Sequence, residues 1–331
     1  MLHWTIEKKI LELKYTWKIA RNSSDEKVNF IVSVSDGKFK GQGEVAPNIR
    51  YSETIETVEK LFDLFIKSKP EEIQNEHQLA ELLESSGITG ALRFGIESAL
   101  IHYICDKKSK SVAEQFSLKA IDTFPISFSI PIMEIGRIKE FYKENKLDRF
   151  PFIKIKVNTE EPFETIKHIS SFCDCPLMID ANEAFTDVEQ CIYFLEKIKK
   201  LKVEFVEQPL PANADDQSVY LKKYSPLPLF ADESVIAEAD FSHLKEIFDG
   251  VNVKLMKAGG YINAIRLLKE AQAQKMKTMI GCMVETTLGI SSGLNLCSLT
   301  DYADLDSFLA VKNEPFGLVK ENGGILHRTT L

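Results

Sequence analysis

The sequence predicts an α/β protein built as a (β/α)7β TIM-like barrel preceded by an α+β capping domain. Short apolar runs with strand character recur from residue 121 onward, at intervals of about 25 residues. Helical patterns, with apolar residues three and four positions apart, fill the intervals between these runs. The first 118 residues instead give strands followed by helices, and this change of pattern indicates a separate domain.

The predicted capping domain covers residues 1–118. Its strand-like runs are WTIEKKILELK (4–14), VNFIVSVSD (28–36) and KFKGQGEVAP (38–47), and its helical patterns are TIETVEKLFDLFIKS (54–68) and GALRFGIESALIHYI (90–104). Two segments, TWKIARNSSDE (16–26) and PNIRYSE (47–53), are interpreted as loops that close over a barrel mouth. Residues 315–331 are predicted to return to this domain.

The predicted barrel covers residues 119–314. Its strand-like runs are FPISFSI (124–130), FIKIKV (152–157), PLMID (176–180), VEFVEQP (203–209), LPLFADES (227–234), VNVKLM (251–256), TMIGCMVE (278–285) and YADLDSF (302–308). Helical patterns between them include EEPFETIKHISSF (160–172), VEQCIYFLEKIKKL (188–201) and YINAIRLLKEAQAQ (261–274). A doubly wound open sheet is the alternative, but no GxGxxG fingerprint follows a first strand.

The composition argues against several classes of protein. A net charge of −8 disfavours binding to nucleic acid or to an anionic membrane. No apolar run approaches the roughly 20 residues that a membrane span needs. The opening MLHWTIEKKI lacks the pattern of a secretory signal, so a cytoplasmic protein is expected. The six cysteines have no zinc-ribbon spacing and are interpreted as free thiols.

Polar residues close the apolar runs of the predicted barrel. Along the chain they are Lys154, Lys156, Asp180, Glu207, Asp232 and Lys254. From Lys156 onward the spacings are 24, 27, 25 and 22 residues, which is one βα unit each time. Barrel enzymes carry their chemistry at the carboxyl ends of the strands, so this series predicts an active site at the barrel mouth.

Three of these residues form a candidate metal site. Carboxylates on successive strands, those of Asp180, Glu207 and Asp232, converge at the mouth and would repel one another without a cation. A ligand set made only of carboxylate oxygens favours a hard ion such as Mg²⁺. The sequence therefore predicts Mg²⁺ as the cofactor.

The lysines flank the predicted metal site. Lys156 precedes it in strand order and Lys254 follows it, so the two would face a bound carbon acid from opposite sides. A metal ion and a second ammonium disfavour the charged form of a lysine and lower its pKa. One lysine could then remove a proton and the other return one, while Mg²⁺ stabilises the enediolate. Lys154 is predicted to support the neighbouring base and to touch the substrate carboxylate.

These motifs resemble the muconate-lactonizing subgroup of the enolase superfamily. The resemblance rests on KIK (154–156), DAN (180–182), EQP (207–209), DES (232–234), VKLMKAGG and GQGEVAP (41–47). It covers nearly the whole chain. It also implies a homo-oligomer, because barrels of this subgroup often associate.

Within the subgroup, DLD (304–306) resembles the eighth-strand DxD of the dipeptide epimerases. The resemblance implies that Asp304 and Asp306 bind the α-ammonium group of a dipeptide substrate. It also implies that Lys156 and Lys254, rather than Lys257, epimerise the C-terminal residue. After DAN the chain departs from many relatives, with Glu183 and Ala184 where those have Gln and Gly, which puts specificity in question.

Other residues are candidates for substrate contact. Arg21 and Arg50, the arginines of the two capping loops, could meet an acidic side chain, which would fit L-Ala-D/L-Glu from cell-wall peptide. Glu285 ends the seventh barrel strand and could touch substrate or make a structural hydrogen bond. Two alternatives use the same site: o-succinylbenzoate synthase or muconate cycloisomerase. A third is a catalytically silent metal- or peptide-binding protein.

Overall fold

The computed structural model describes residues 1–73 and 75–329. The chain opens with an antiparallel sheet made of β1 (His3–Lys18), β2 (Ser23–Ser35) and β3 (Lys40–Val45). The helices that follow are α1 (Ile55–Lys67), α2 (Glu76–Ser85), α3 (Gly90–Lys108) and α4 (Val112–Gln115). Short 3-10 turns at Ile49–Tyr51 and Pro70–Glu72 connect them.

The predicted loop at residues 16–26 is mostly strand. β1 continues to Lys18 and β2 begins at Ser23, so only residues 19–22 form the turn, which is closed by the Ile19 N–H donating to Asn22 O at 2.9 Å. The register shifts between Glu12 and Trp17. This irregularity breaks the alternation of apolar and polar residues, which is why the pattern did not reveal the strand.

The GQGE segment lies in β3, which packs directly on α3. A Cβ atom at Gly41 would lie 2.0 Å from Ala99 O, and one at Gly43 would lie 2.1 Å from Gly95 O. Both positions therefore need glycine, because strand and helix backbones touch there. The same contact fixes Glu44 at the edge of the barrel.

Within the described ranges, eight parallel strands form the second sheet of the protein. They are β5 (Ser127–Ile130), β6 (Phe152–Lys156), β7 (Leu177–Asp180), β8 (Val203–Glu207), β9 (Leu229–Ala231), β10 (Gly250–Lys254), β11 (Lys277–Gly281) and β12 (Tyr302–Asp304), after a short β4 (Thr123–Pro125). They pair in chain order, and Ser127 Oγ on β5 donates to Asp304 Oδ1 on β12 at 3.0 Å. The sheet is therefore a nearly closed barrel, and the predicted fold class is confirmed.

Helices surround the barrel. They are α5 (Ile135–Glu144), α6 (Pro162–Ser170), α7 (Val188–Ile198), α8 (Asp215–Tyr224), α9 (Phe241–Ile247), α10 (Leu255–Ala258), α11 (Tyr261–Ala273) and α12 (Thr287–Leu294). Shorter 3-10 turns lie at Leu147–Arg149, Cys297–Leu299 and Ser307–Ala310. Among the described residues, no helix combines the length and the apolar character that crossing a membrane requires.

An apolar layer fills the barrel below its mouth. Met178, Phe205, Phe230 and Met279 form a separate buried cluster, and the rings of Phe205 and Phe230 stack with centroids 3.8 Å apart. Side chains of this size close the interior to water. The polar groups at the strand ends therefore lie in a pocket whose base is apolar and excludes water.

The C-terminal strands pack at the N-terminal ends of the first barrel strands, opposite the mouth. β13 (Val319–Asn322) and β14 (Ile325–Arg328) form a hairpin, and β14 pairs antiparallel with β4. An ion pair of 2.7 Å between Arg149 and Glu321 adds a link to the barrel. The domain division at residues 118/119 and the return of 315–331 stay predictions, and Thr330 and Leu331 lie outside the described residues.

The capping sheet contacts the barrel mouth through β1. The Lys312 N–H donates to Glu12 O at 2.8 Å, and the Ile132 N–H donates to Lys18 O at 2.9 Å. Leu11 and Leu13 pack against Val284 and Val311, which lie in the segments after β11 and β12. These contacts hold the first hairpin above the mouth of the barrel.

Candidate active site

β6 directs two lysines into the barrel. Lys154 and Lys156 are two residues apart and share one face of the strand, while Ile153 and Ile155 face the surrounding helices. Lys156 pairs in register with Asp180 on β7, and Asp180 pairs with Glu207 on β8. Register alone thus brings one lysine and two carboxylates into a single row at the mouth.

Asp180, Glu207 and Asp232 form the carboxylate group predicted from the sequence. All three are buried, and one carboxylate oxygen from each lies within 4.8 Å of the others. Asp180 and Glu207 are the last residues of their strands, and Asp232 directly follows β9. This is the convergence that the strand-end spacing predicts.

The group has the donor atoms that Mg²⁺ prefers. Its ligands are all carboxylate oxygens, and Glu207 Oε2 accepts no hydrogen bond of good geometry from the described residues, although Lys154 Nζ lies 2.8 Å away. Burial, reinforced by the Asp180 carboxylate, raises the pKa of Glu207 to about 7. A cation at this point would satisfy the free oxygen and offset the repulsion, so these residues fit a divalent ion.

Lys154 lies beneath the mouth among carboxylates. Its ammonium is fully buried and lies 3.1 Å from Asp180, 2.8 Å from Glu207 and 2.7 Å from Asp304. Burial alone would lower the pKa of Lys154, but these carboxylates, Asp304 foremost, outweigh it and hold the pKa well above its ordinary value. Lys154 is thus surrounded by protein carboxylates, and its contact with the substrate carboxylate stays a prediction.

Lys156 and Lys254 stand on opposite sides of the carboxylate group. Lys156 Nζ donates to Asp180, and Lys254 Nζ donates to Asp232 Oδ2 at 2.9 Å. Burial lowers the pKa of Lys254, but Asp232 outweighs this effect and raises the pKa above its ordinary value. Asp232 therefore favours the charged form of Lys254 in this site, and the lowering of a lysine pKa by a bound metal ion stays a prediction.

Asp304 and Asp306 follow one another along the mouth. Asp304 Oδ1 accepts from Ser127 Oγ at 3.0 Å and from Ser129 Oγ at 3.1 Å, and Asp306 Oδ2 accepts from the Ser129 N–H at 2.5 Å. Burial, reinforced by Asp304, raises the pKa of Asp306 to about 7. Both aspartates line the cavity above the barrel, so a cation placed there would stabilise the charge of Asp306.

The two arginines of the capping domain meet on Glu183. Arg50 forms a bidentate pair with the Glu183 carboxylate, with both distances at 2.9 Å. Arg21 donates to Glu183 at 2.7 Å and to Glu233 at 2.7 Å. The predicted role for these arginines was contact with an acidic substrate, yet here both already hold protein carboxylates. They clamp the two capping loops to the barrel.

Asn182 and Glu183 have a left-handed backbone conformation, and the Glu183 side chain points toward the capping domain. Asn182 and Glu183 have φ values of 44° and 66°, which few side chains adopt without constraint. The Ala212 N–H donates to Glu183 at 2.8 Å and fixes the carboxylate from below. Glu183 is therefore a rigid anchor for the capping loops.

Glu285 lies in the contact between cap and barrel. It is buried, and its carboxylate accepts from the Met283 N–H at 2.7 Å. Burial, reinforced by neighbouring Glu44, raises the pKa of Glu285 to about 8. Glu44 itself accepts from the Thr286 and Gly289 N–H groups at the start of α12, at 3.0 and 2.9 Å. Of the two roles open to Glu285, these contacts favour the structural hydrogen bond.

Some polar neighbours of the carboxylates were not predicted. Asn252 Nδ2 donates to Glu207 at 2.9 Å, and Lys257 Nζ lies 2.5 Å from Asp232 Oδ1. Asn252 precedes Lys254 by two residues and shares its strand face, so alternation could have revealed it. Lys257 lies in α10, the short helix that directly follows β10, so the alternation of strand residues does not predict its position.

A cavity of about 530 Å³ lies between the capping sheet and the barrel mouth. It reaches Lys156, Lys254, Asp304 and Asp306 on the barrel side. The capping hairpin, the 3-10 turn at Ile49–Tyr51 and the segment after β11 form its upper wall. Its volume falls within the range of sites for small molecules.

The barrel, its cap and the lysines and carboxylates at the mouth define a capped-barrel enzyme. Residues 137–316 match the family model described as "Enolase C-terminal domain-like", which is more than half of the chain. The chain belongs to the enolase superfamily. Its curated relatives are epimerases and racemases, so it is an enzyme of the isomerase class.

Similar proteins extend along nearly the whole chain. The L-Ala-D/L-amino acid epimerase of Pedosphaera parvula is 32% identical over 326 residues, covering 95% of this chain and 92% of the relative. The enzyme of the same name from Flavobacterium johnsoniae is 32% identical over 92% of this chain and 90% of the relative. A crystal structure of an Agrobacterium tumefaciens enolase family member, with bound sodium and L-Ala-L-Glu, superposes with a TM-score of 0.90 at 24% identity, covering 100% of this chain and 98% of that one. This last likeness shows the fold.

Proposed function

We propose that the chain is a Mg²⁺-dependent dipeptide epimerase that inverts the α-carbon of the C-terminal residue by two-lysine 1,1-proton transfer. The observation that carries the proposal is the position of Lys156 and Lys254 on opposite sides of the carboxylate group. One lysine removes the α-proton from one face of the substrate, and the other delivers a proton to the opposite face. Asp180, Glu207 and Asp232 would hold Mg²⁺, which would act as a Lewis acid and make the α-proton more acidic.

The remaining residues bind and position the substrate. Asp304 and Asp306 receive the α-ammonium group of the dipeptide, and Lys154 balances the charge of the carboxylates from below. Neither o-succinylbenzoate synthase nor muconate cycloisomerase acts on a substrate with an ammonium group, so those alternatives leave the pair of aspartates unexplained. L-Ala-D/L-Glu from murein peptide recycling is the first substrate to test, because relatives are named L-Ala-D/L-Glu epimerase.

The proposal is tested by proton exchange in D₂O with Mg²⁺. We expect α-deuterium, detected by mass, in a subset of L,L-dipeptides that includes Ala-Glu. Asp306→Asn should lower kcat/KM for these dipeptides by ~10- to 100-fold, because a hydrogen bond between charged groups is lost. Asn can still accept from the Ser129 N–H, so the loop is preserved.

Asp301→Asn is the matched control, because Asp301 lies just before β12 and pairs with Lys277 at 2.8 Å, away from the cavity. Its turnover should match that of the wild type. If no dipeptide gains deuterium while active relatives measured in parallel do exchange, the epimerase proposal is rejected. The substrates of the two alternative enzymes should then be tested.

The Mg²⁺ site has a test that does not depend on turnover. At 100 times its Kd, Mg²⁺ should raise the free energy of unfolding by about 2.7 kcal/mol. Glu207→Gln should remove most of this gain, since it deletes one anionic ligand while leaving an oxygen for Asn252. Glu204→Gln, on the same strand and bonded to Tyr302 at 2.6 Å, should keep it. An equal Mg²⁺ effect in both variants, measured by urea unfolding, would place the ion elsewhere.

A further inference from the structure

Four cationic side chains line the cavity, namely Arg21, Lys27, Lys156 and Lys254. Three of them have the carboxylate partners described above. Lys27 differs, because its side chain has no hydrogen bond and no ion pair with any residue in the described part of the chain. One positive charge facing the cavity is therefore left without a partner.

Strand register turns Lys27 toward the barrel. Lys27 on β2 lies directly opposite Leu11 on β1, and directly opposed residues of an antiparallel pair share one face. Leu11 packs on Val284 beyond β11. Asn29, two residues along from Lys27 and on the same face, donates to Val284 O at 2.9 Å. The stem of Lys27 thus lies on the face of the hairpin that covers the mouth.

The surroundings of Lys27 disfavour a lone charge. The side chain is half-buried, and burial lowers the pKa of Lys27. Apolar side chains, including Trp17 and Val284, lie in the same wall of the cavity. Glu26, the preceding residue, also lines the cavity, but it is exposed and forms no ion pair with Lys27 in the described part of the chain. A half-buried ammonium in such a wall is stabilised by an anion that enters the cavity.

We propose that Lys27 receives the side-chain carboxylate of an acidic residue in the substrate dipeptide, and so selects acidic over neutral substrates. This inference rests on the proposed function and names the substrate class of the same site. The sequence predicted that Arg21 or Arg50 contacts the acidic side chain of the substrate, but both bind Glu183. We assign this contact to Lys27, whose side chain has no partner in the described part of the chain. The C-terminal carboxylate of the dipeptide stays with the catalytic groups below.

The test compares Lys27→Met with the wild type on charged and neutral dipeptides of similar shape. For Ala-Glu, kcat/KM should fall by ~10- to 100-fold, because a charge-assisted hydrogen bond is lost. Turnover of Ala-Gln and Ala-Met should stay within about threefold of the wild type, which also shows that the variant is folded. The pair Glu-Ala and Gln-Ala shows which residue carries the acid, and a selective loss on either pair supports the proposal.

Two further variants sharpen the comparison. Lys27→Glu should disfavour Ala-Glu more strongly than Lys27→Met does and should improve Ala-Lys. Lys38→Met removes the same charge from an exposed turn of the same sheet and should leave the preference unchanged. An unchanged ratio of Ala-Glu to Ala-Gln in an active Lys27→Met enzyme would overturn this inference alone. Absence of proton exchange with every dipeptide in the wild type would overturn the proposed function with it.

Discussion

Replacing Lys156 or Lys254 by alanine is expected to stop the interconversion of epimers while leaving each variant able to exchange the α-proton of one epimer. In the proposed mechanism each lysine faces one side of the substrate, so the remaining lysine still removes and returns the proton on its own side. Without the opposite proton donor no inversion follows. The loss of epimerisation should be roughly 10²- to 10⁴-fold, the usual contribution of one acid–base group.

The measurement follows deuterium incorporation into separate L,L- and L,D-dipeptides in D₂O, alongside the optical rotation of the mixture. Lys156→Ala and Lys254→Ala should label opposite epimers. Lys277→Ala is the control, because Lys277 is an exposed lysine at the opposite end of a barrel strand. If Lys254→Ala still inverts both epimers, the second base is another group, and the neighbouring Lys257 becomes the next candidate.

The fold could be predicted because parallel strands buried on both faces read as apolar runs with regular spacing. The run FIKIKV contains β6, and the first four residues of VNVKLM lie in β10, while Leu255 and Met256 begin α10. Lysine is rare in such strands, so Lys154, Lys156 and Lys254 stood out from the sequence alone. The carboxylates were predictable for the same reason, since each closes or directly follows a buried strand.

The capping contacts could not be predicted, because they join residues far apart in the chain. Arg21 and Glu183 are separated by 162 positions, and no local pattern links a hairpin turn to a left-handed turn after β7. The arginines were therefore assigned to substrate, although a protein carboxylate holds them. The orientation of Lys27 was not predicted either, because the strand that orients it begins at Ser23, inside the predicted loop at residues 16–26. Side-chain partners across loops depend on tertiary packing, which periodicity does not record.

The second large effect concerns Lys154. Lys154→Met removes the cation among Asp180, Glu207 and Asp304 and leaves buried carboxylates without a counter-charge. Breaking a buried ion pair in this way costs about 3–5 kcal/mol. We expect the free energy of unfolding, measured in urea without Mg²⁺, to fall by about this amount. Lys222→Met is the control: it breaks a more accessible pair with Asp249 and should cost at most about 1 kcal/mol.

Adding Mg²⁺ then separates two explanations of such a loss. If Lys154 balances the carboxylates that bind the ion, Mg²⁺ should stabilise the variant by more than it stabilises the wild type, because it supplies the missing positive charge. If Lys154 matters only through packing, methionine fills much of its volume, and the loss should be small and insensitive to Mg²⁺. An equal gain in both proteins would mean that the charge of Lys154 and the charge of the ion act on different carboxylates.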